Sequence, residues 1–360
     1  MSEIILHNAG RRGHSGAMIA RPEQPQPRPR AIARWLLLIA TLVFIMVVVG
    51  GITRLTESGL SMVRWEPISG TIPPLNEQQW HAEFAAYQAY PEYQKNNRGM
   101  SLEEFKKIFF WEYFHRLLGR LIGMAFALPL AWFAWRRAIP AGYSPRLLAL
   151  FALGGLQGAI GWWMVASGLI DRPDVSHIRL AVHLLAAFFI FGGLIWTALD
   201  LIQLHRNPHA RPARLTLRGI GLFVVLGLQL KLGAFTAGLN AGHAFAEWPT
   251  MGGRLFPAGV AMLTPFWHNL VDNPIVVQFV HRWLAWLVAI AALALAARLW
   301  RQGKSAPAIA IAIAIPVQIA LGVATLLSGV DIAIAAAHQA VAALLLGSIV
   351  WGVHYDGRRE

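Results

Sequence analysis

Eight predominantly apolar stretches of about 20 residues, each long enough to cross a hydrocarbon core of about 30 Å, recur along the chain. They fall at 35–52, 111–133, 147–169, 180–204, 217–239, 275–299, 306–327 and 332–353, and every connection is short except the loop 53–110. The pattern predicts an all-α integral membrane protein with eight transmembrane helices. Residues 1–34 are rich in Arg, Pro and Gln and hold too little apolar surface to bury, which reads as a disordered basic tail. That tail is too long and too polar to precede a cleaved secretory signal. Within the long loop, residues 76–90 are amphipathic, with Trp80, Phe84 and Tyr87 at helical spacing, and Ser101 followed by Glu104 is a helix start. Short helices lying at the outer surface are expected there, over the first pocket or on lipid headgroups.

Composition agrees: 56% of residues are hydrophobic and 14% charged, against roughly 45–50% and about 25% in a soluble domain. The absence of cysteine excludes disulfides, thiolate-held clusters, Cys-ligated metals and a cysteine nucleophile. A formal charge of +13 would suit nucleic acid if it lay on one soluble face, so its placement decides. Arg11, Arg12, Arg21, Arg28, Arg30 and Arg34 lie in the tail, and Arg136, Arg137, Arg146, Arg206, Arg211, Arg214, Arg218, Arg298, Arg301 and Lys304 lie in the loops after the second, fourth and sixth spans. The short loops on the other side hold only Arg172, Arg179 and Arg254, beside Asp171, Asp174, Asp272 and Asp331. Basic short loops stay in the cytoplasm. Both termini are therefore expected there, with the loop 53–110 outside, and no nucleic-acid partner is needed to explain the charge.

The chain also repeats itself. Gln157-Gly158-Ala159-Ile160-Gly161 with Ser167-Gly168 in the third span matches Gln318-Ile319-Ala320-Leu321-Gly322 with Ser328-Gly329 in the seventh. Phe114-His115-Arg116 matches Val280-His281-Arg282, Ala181-Val182-His183 matches Ala336-Ala337-His338, and the segment from Gly50 to Gly59 is weakly echoed from Gly233 to Gly242. Duplication of a four-helix unit explains these matches. The expected organisation is two tandem four-helix bundles, 35–204 and 217–354, joined by a linker at 205–216 and followed by a tail at 355–360. An even helix number makes the repeat parallel, with a pseudo-twofold axis along the membrane normal.

Of 13 histidines, nine (His7, His14, His81, His177, His205, His209, His243, His268 and His354) fall in the tail, loops or helix ends and read as solvated or interfacial. The other four, His115, His183, His281 and His338, occupy one even-numbered span each, near its outer end. An ionisable group inside a membrane is costly and marks a site more often when it repeats, although interhelical hydrogen bonding is the plain alternative. Two facing histidines per bundle can supply both axial ligands of a haem, pairing His115 with His183 and His281 with His338. Zinc wants three or four ligands and only Glu112 offers a third, while copper has no Met or Cys cluster here. Arg116, Arg120 and Arg282 follow these histidines closely and suit haem propionates, or snorkel to the interface. The halves differ at one position: Glu112 shares a helix face with His115, where the second half has Gln278. An acid beside one site alone suggests that the first half handles protons and substrate and the second moves electrons, unless Glu112 is merely interfacial.

Gly50-Gly51-Ile52-Thr53-Arg54-Leu55-Thr56-Glu57-Ser58-Gly59-Leu60-Ser61-Met62, Glu112-Tyr113-Phe114-His115-Arg116, Gln157-Gly158 to Gly168, His183, Pro249-Thr250-Met251-Gly252-Gly253-Arg254, His281-Arg282 and His338-Gln339 together resemble the haem A synthases, in the form of mitochondria and related bacteria that lacks a loop cysteine pair. The resemblance covers nearly the whole chain after the tail. It implies oxidation of the C8 methyl of haem O to a formyl group by successive hydroxylations, in a bacterial inner membrane with the haem sites toward the outer side. His115 and His183 then flank the substrate iron, His281 and His338 ligate a permanent haem b, and Glu112 moves a proton or stabilises charge at the methyl carbon. Haem O synthase, a ferredoxin-type electron donor, cytochrome c oxidase assembly factors and a second copy of the chain are the implied partners. Bis-His ligation leaves no open position for oxygen, so either one histidine leaves the iron or oxygen reacts elsewhere. A diheme electron carrier fits the paired histidines equally well, and a transporter fits the repeat if helices break at Gly154-Gly155 and Gly192-Gly193.

Overall fold

The computed structural model describes residues 26–66, 69–170 and 173–358. Ten α-helices are described: α1 (Pro29–Leu55), α2 (Glu77–Gln88), α3 (Pro91–Lys95), α4 (Leu102–Trp135), α5 (Ser144–Val165), α6 (His177–Arg206), α7 (Leu217–Gly238), α8 (Pro274–Arg301), α9 (Ser305–Leu327) and α10 (Ile332–Asp356). All but α2 and α3 are long and apolar enough to cross a membrane, and each coincides with one span read from the sequence.

Local chemistry sets the helix starts. Pro29 and Pro274 occupy first-turn positions where a missing N–H costs nothing. Side chains of Asn76, Ser176, Thr216, Asn273 and Asp331 accept from first-turn amides. Ser101 and Glu104 form a reciprocal capping box, but the helix they start is α4 itself, 34 residues long. At 1.5 Å per residue it measures about 51 Å, so its first turns rise well clear of a hydrocarbon core. The separate surface helix expected after Ser101 is thus continuous with the second span, while α2 is the amphipathic helix expected at 76–90.

Three other boundaries move. Helix α1 begins at Pro29, so residues 29–34 belong to it and not to the tail, whose residues 1–25 lie outside the described part. Helix α10 continues to Asp356, two residues into the segment expected to be a tail. Helices α5 and α6 run unbroken through Gly154-Gly155 and Gly192-Gly193, which removes the breaks a transporter required.

Helix α1 packs on α4, α6 and α10; α7 packs on α6 and α8; and α9 packs between α8 and α10. The junction of the halves is built from α1 against α10, α6 against α7, and α6 against α10. The halves are not identical: α1 lies along α6, whereas α7 and α10, their counterparts by sequence, make no comparable contact among the described residues. The main apolar core, including Ile32, Leu36, Ile39, Leu194, Leu201, Leu226, Leu299, Ile311 and Ile349, fills the end nearest the termini. A smaller cluster of Val63, Tyr87, Phe105 and Phe109 fastens α2 and α3 to the top of α4.

A polar lock closes the terminal end. The fully buried Asp200 carboxylate accepts from His354 Nε2 at 2.9 Å, Arg146 at 2.6 Å and the Ala213 backbone N–H at 2.9 Å, tying α6, α10, α5 and the linker together. His354 is therefore not a solvated helix-end histidine, because its partner lies on a helix 154 residues away. His177 is likewise buried, 3.3 Å from Asp272.

Candidate functional site

Away from the terminal core, the four intramembrane histidines are arranged alike. Each ring packs against a glycine on the preceding membrane-length helix of its own half. A Cβ built on Gly50 would stand 3.0 Å from Cε1 of His115, and one on Gly161 would stand 2.9 Å from Cε1 of His183. The corresponding distances are 3.2 Å from Gly233 to His281 and 2.9 Å from Gly322 to His338. Real Cβ atoms barely tolerate such spacing, so glycine is what lets the imidazoles lie flat on the backbone. Each half thus carries two such rings on separate helices, His115 on α4 with His183 on α6, and His281 on α8 with His338 on α10.

One turn before three of these glycines stands a glutamine. The Gln157 amide donates to Nδ1 of His183 at 3.1 Å and to the His183 carbonyl at 2.8 Å; Gln229 does the same for His281 at 3.2 and 3.1 Å. Gln318 reaches Nε2 of His338 at 3.4 Å. Each of the three keeps a buried Oε1 without a partner among the described residues. A metal-bound imidazole needs an acceptor for its other ring N–H. A half-turn of the amide would offer one to Nδ1 of His183 and of His281, at the expense of the bond to the histidine carbonyl, so one histidine of each pair has the neighbour a haem-iron ligand needs. No group of three or more His, Asp or Glu that could hold a metal comes together among the described residues, which disfavours zinc.

The rim of each site is also repeated. Arg116 donates to the carbonyls of Met62 at 2.7 Å and Arg64 at 2.9 Å; Arg282 donates to those of Phe245 at 3.1 Å, Glu247 at 2.9 Å and Thr250 at 3.1 Å. Met62 and Arg64 stand at the same distances after Gly50 as Phe245 and Glu247 after Gly233. The guanidinium of Arg116 lies over Trp162 and that of Arg282 over Trp248, both near 5.9 Å. Arg120 donates to the Glu66 carbonyl at 2.7 Å. All three arginines expected at the propionates thus spend donors on loop carbonyls, clamping the loops that hold residues 62–66 and 245–250 over the bundles.

Glu112 is 3% exposed. One oxygen pairs with Arg116 at 2.5 Å, and the other accepts from the Ser61 hydroxyl and the Met62 N–H, each at 2.7 Å. At the matching place Gln278 donates to the Phe245 carbonyl at 3.2 Å. The acid and the amide therefore read opposite backbone groups of equivalent loop residues.

Residues 33–350 match the family described as cytochrome oxidase assembly protein. The chain is 59% identical to the haem A synthase of Rhizorhabdus wittichii over 340 residues, covering 94% of this chain and 97% of the relative. It is 52% identical to that of Sphingopyxis alaskensis (96% and 98% covered) and 50% identical to that of Rhodospirillum centenum (93% and 91%). The chain belongs to the haem A synthase family. Membership makes it an oxidoreductase, and the lack of cysteine agrees with the form of the family expected from the sequence.

Sequence reasoning in this family member missed two things. The glutamines carry a legible signal, Gln-x-x-x-Gly, once the facing glycine is known. The loop carbonyls gripped by Arg116 and Arg282 carry none, because a backbone acceptor is the same at every residue.

Proposed function

We propose that this chain is a haem A synthase that oxidises the C8 methyl of haem O to a formyl group. The first bundle holds the substrate between His115 and His183, and the second holds a haem b between His281 and His338. The observation that carries this reading is the repeated cradle of histidine on glycine with an acid, Glu112, beside only one pair. Bound haem b supplies one-electron transfer. Gly50 and Gly51 support its passage between the halves: Gly50 packs on His115, while Gly51 packs on Gln339, which follows His338 and donates to the Val47 carbonyl at 2.8 Å.

The protein's residues divide the remaining work. The histidines orient the ring systems, and the loops clamped by Arg116, Arg120 and Arg282 exclude water and bring cationic charge to the propionate side. Glu112 holds a proton or negative charge at Oε2, next to the Ser61 hydroxyl, through which it exchanges with the outer loop. The setting is a bacterial inner membrane, with both termini cytoplasmic, the histidines toward the outer side and the halves related by an axis along the membrane normal. Haem O synthase, a ferredoxin-type donor, oxidase assembly factors and a second copy of the chain are the partners proposed.

The test is to purify the protein in detergent, identify its extracted haems by chromatography and mass, and repeat this with Glu112→Gln. Gln278 occupies the matching place in the second half, so an amide is sterically acceptable. The variant should keep its haem and lose formyl product. Haem B alone in the wild type would favour an electron carrier, and full activity of E112Q would remove Glu112 from the reaction.

A further inference from the structure

The four histidine cradles share one pattern with one exception. Helices α5, α7 and α9 carry Gln157, Gln229 and Gln318 four residues before the glycine that faces each ring; α1 carries Met46 four residues before Gly50. Met46 is half-buried and turned toward α4, its methyl 3.3 Å from where a Cβ on Gly119 would lie. A thioether is close to an amide side chain in length and volume but donates nothing and accepts weakly. Accordingly the His115 ring has no glutamine against it and its Nδ1 is buried without a hydrogen-bond partner among the described residues; His183 and His281 are held at Nδ1 and at the carbonyl, and His338, whose Nδ1 is also unpartnered, is reached by Gln318 at Nε2 instead.

Second-shell hydrogen bonds fix the orientation of a ligating imidazole and raise its basicity. A ring lacking one turns more freely and binds iron less firmly. We infer that His115 is the releasable ligand of the first site, and that Met46, standing where the other three helices carry a glutamine that reaches the ring, is the positioning residue that makes it so. This rests on the haem reading above and resolves what bis-His ligation leaves open. With haem bound, release would break only the bond between iron and a ring nitrogen of His115, whose electron pair would stay on the nitrogen with the oxidation state unchanged. His183, tied to Gln157, stays. In the second half Gln229 holds His281 at Nδ1 and Gln318 reaches the His338 ring at Nε2, so neither ring there is without a glutamine.

Carbon monoxide binding to the dithionite-reduced holoprotein, followed by stopped-flow absorbance, tests this without reference to turnover. In the wild type one class of haem should bind and the other should not. Met46→Gln should slow that binding about tenfold, equivalent to about 1.4 kcal/mol, and sharpen the low-spin signature of the ferric site in electron paramagnetic resonance. Met46→Leu, which also gives no hydrogen bond, should bind as the wild type does. Gln229→Met should make the second haem reactive, a gain that misfolding does not produce. Equal rates in the wild type and M46Q, or no carbon monoxide binding by a haem-loaded wild type, would overturn the assignment of His115 alone. A wild type that carries no haem after supplementation would overturn the haem reading itself.

Discussion

Single atoms decide much at the histidine sites. Where a Cβ would stand 2.9 Å from an imidazole, the ring must move, and rings in a close-packed helical bundle have little room to do so. Gly322→Ala should therefore deplete the second site of haem and leave the first loaded, with Gly161→Ala doing the reverse; haem per protein, by pyridine haemochrome and chromatography, reads both. Retention of full stoichiometry by either variant would show that the glycines do not set the cradle. The histidines were legible in the sequence because a polar group in an apolar span is conspicuous and these four recur at fixed intervals; the glycines recur with them, but which glycine faces which ring was not legible. The partner of His354 was not, since nothing local to residue 354 announces a carboxylate at residue 200.

The elements between α1 and α4 show how loops gain order from buried polar groups. Glu92, on α3, is 5% exposed, and burial pushes its carboxyl up from the ordinary 4.5 to about 8; Glu112, Glu57 and Asp174 add to the shift, and the Tyr87 hydroxyl opposes it by hydrogen bonding. Burial also raises the Tyr87 phenol, which accepts from Asn97 at 2.7 Å. Between about 4.5 and 8 the folded loop binds more protons than the unfolded one, so its stability falls as pH rises through that window. Limited proteolysis in detergent should cut the 77–100 region faster at pH 9 than at pH 6, and Glu92→Gln should flatten the difference; a wild-type loop indifferent to pH would contradict this. The clamps offer a parallel case. Arg282 forks onto three carbonyls, a geometry that a lysine ammonium cannot reproduce. Arg282→Lys should increase hydrogen exchange over 245–250 while the α8 core stays protected. Element positions were readable from apolar runs and caps, whereas the continuity of α4 through the surface was not, because a capping box gives a helix start and says nothing of its length.

Across the whole molecule, two fastenings hold the halves. At the terminal end, removing the Asp200 carboxylate leaves the buried His354 ring and the Ala213 N–H without their acceptor, while Arg146, 38% exposed, turns to water; a buried donor left unsatisfied costs about 1–3 kcal/mol. Asp200→Ala should accordingly lower the melting temperature in detergent by several degrees, and an unchanged temperature would reduce the lock to an ornament of packing. Nearer the histidines, a Cβ on Gly51 would overlap Gln339 Oε1, so Gly51→Ala should loosen both halves together, with Gln339→Ala restoring the space and the stability. The duplication itself was legible; the unequal packing of α1 on α6 was not, because the matched segments are silent about which faces meet. That seam has a consequence for descent. Neighbouring glycines of one helix serve one half and the other in turn, so a substitution there cannot be private to either bundle. After a duplication the two sides of the seam could change only together: Gly51 stands where the second half has Ala234, and the Gln339 it receives stands where the first half has Leu184.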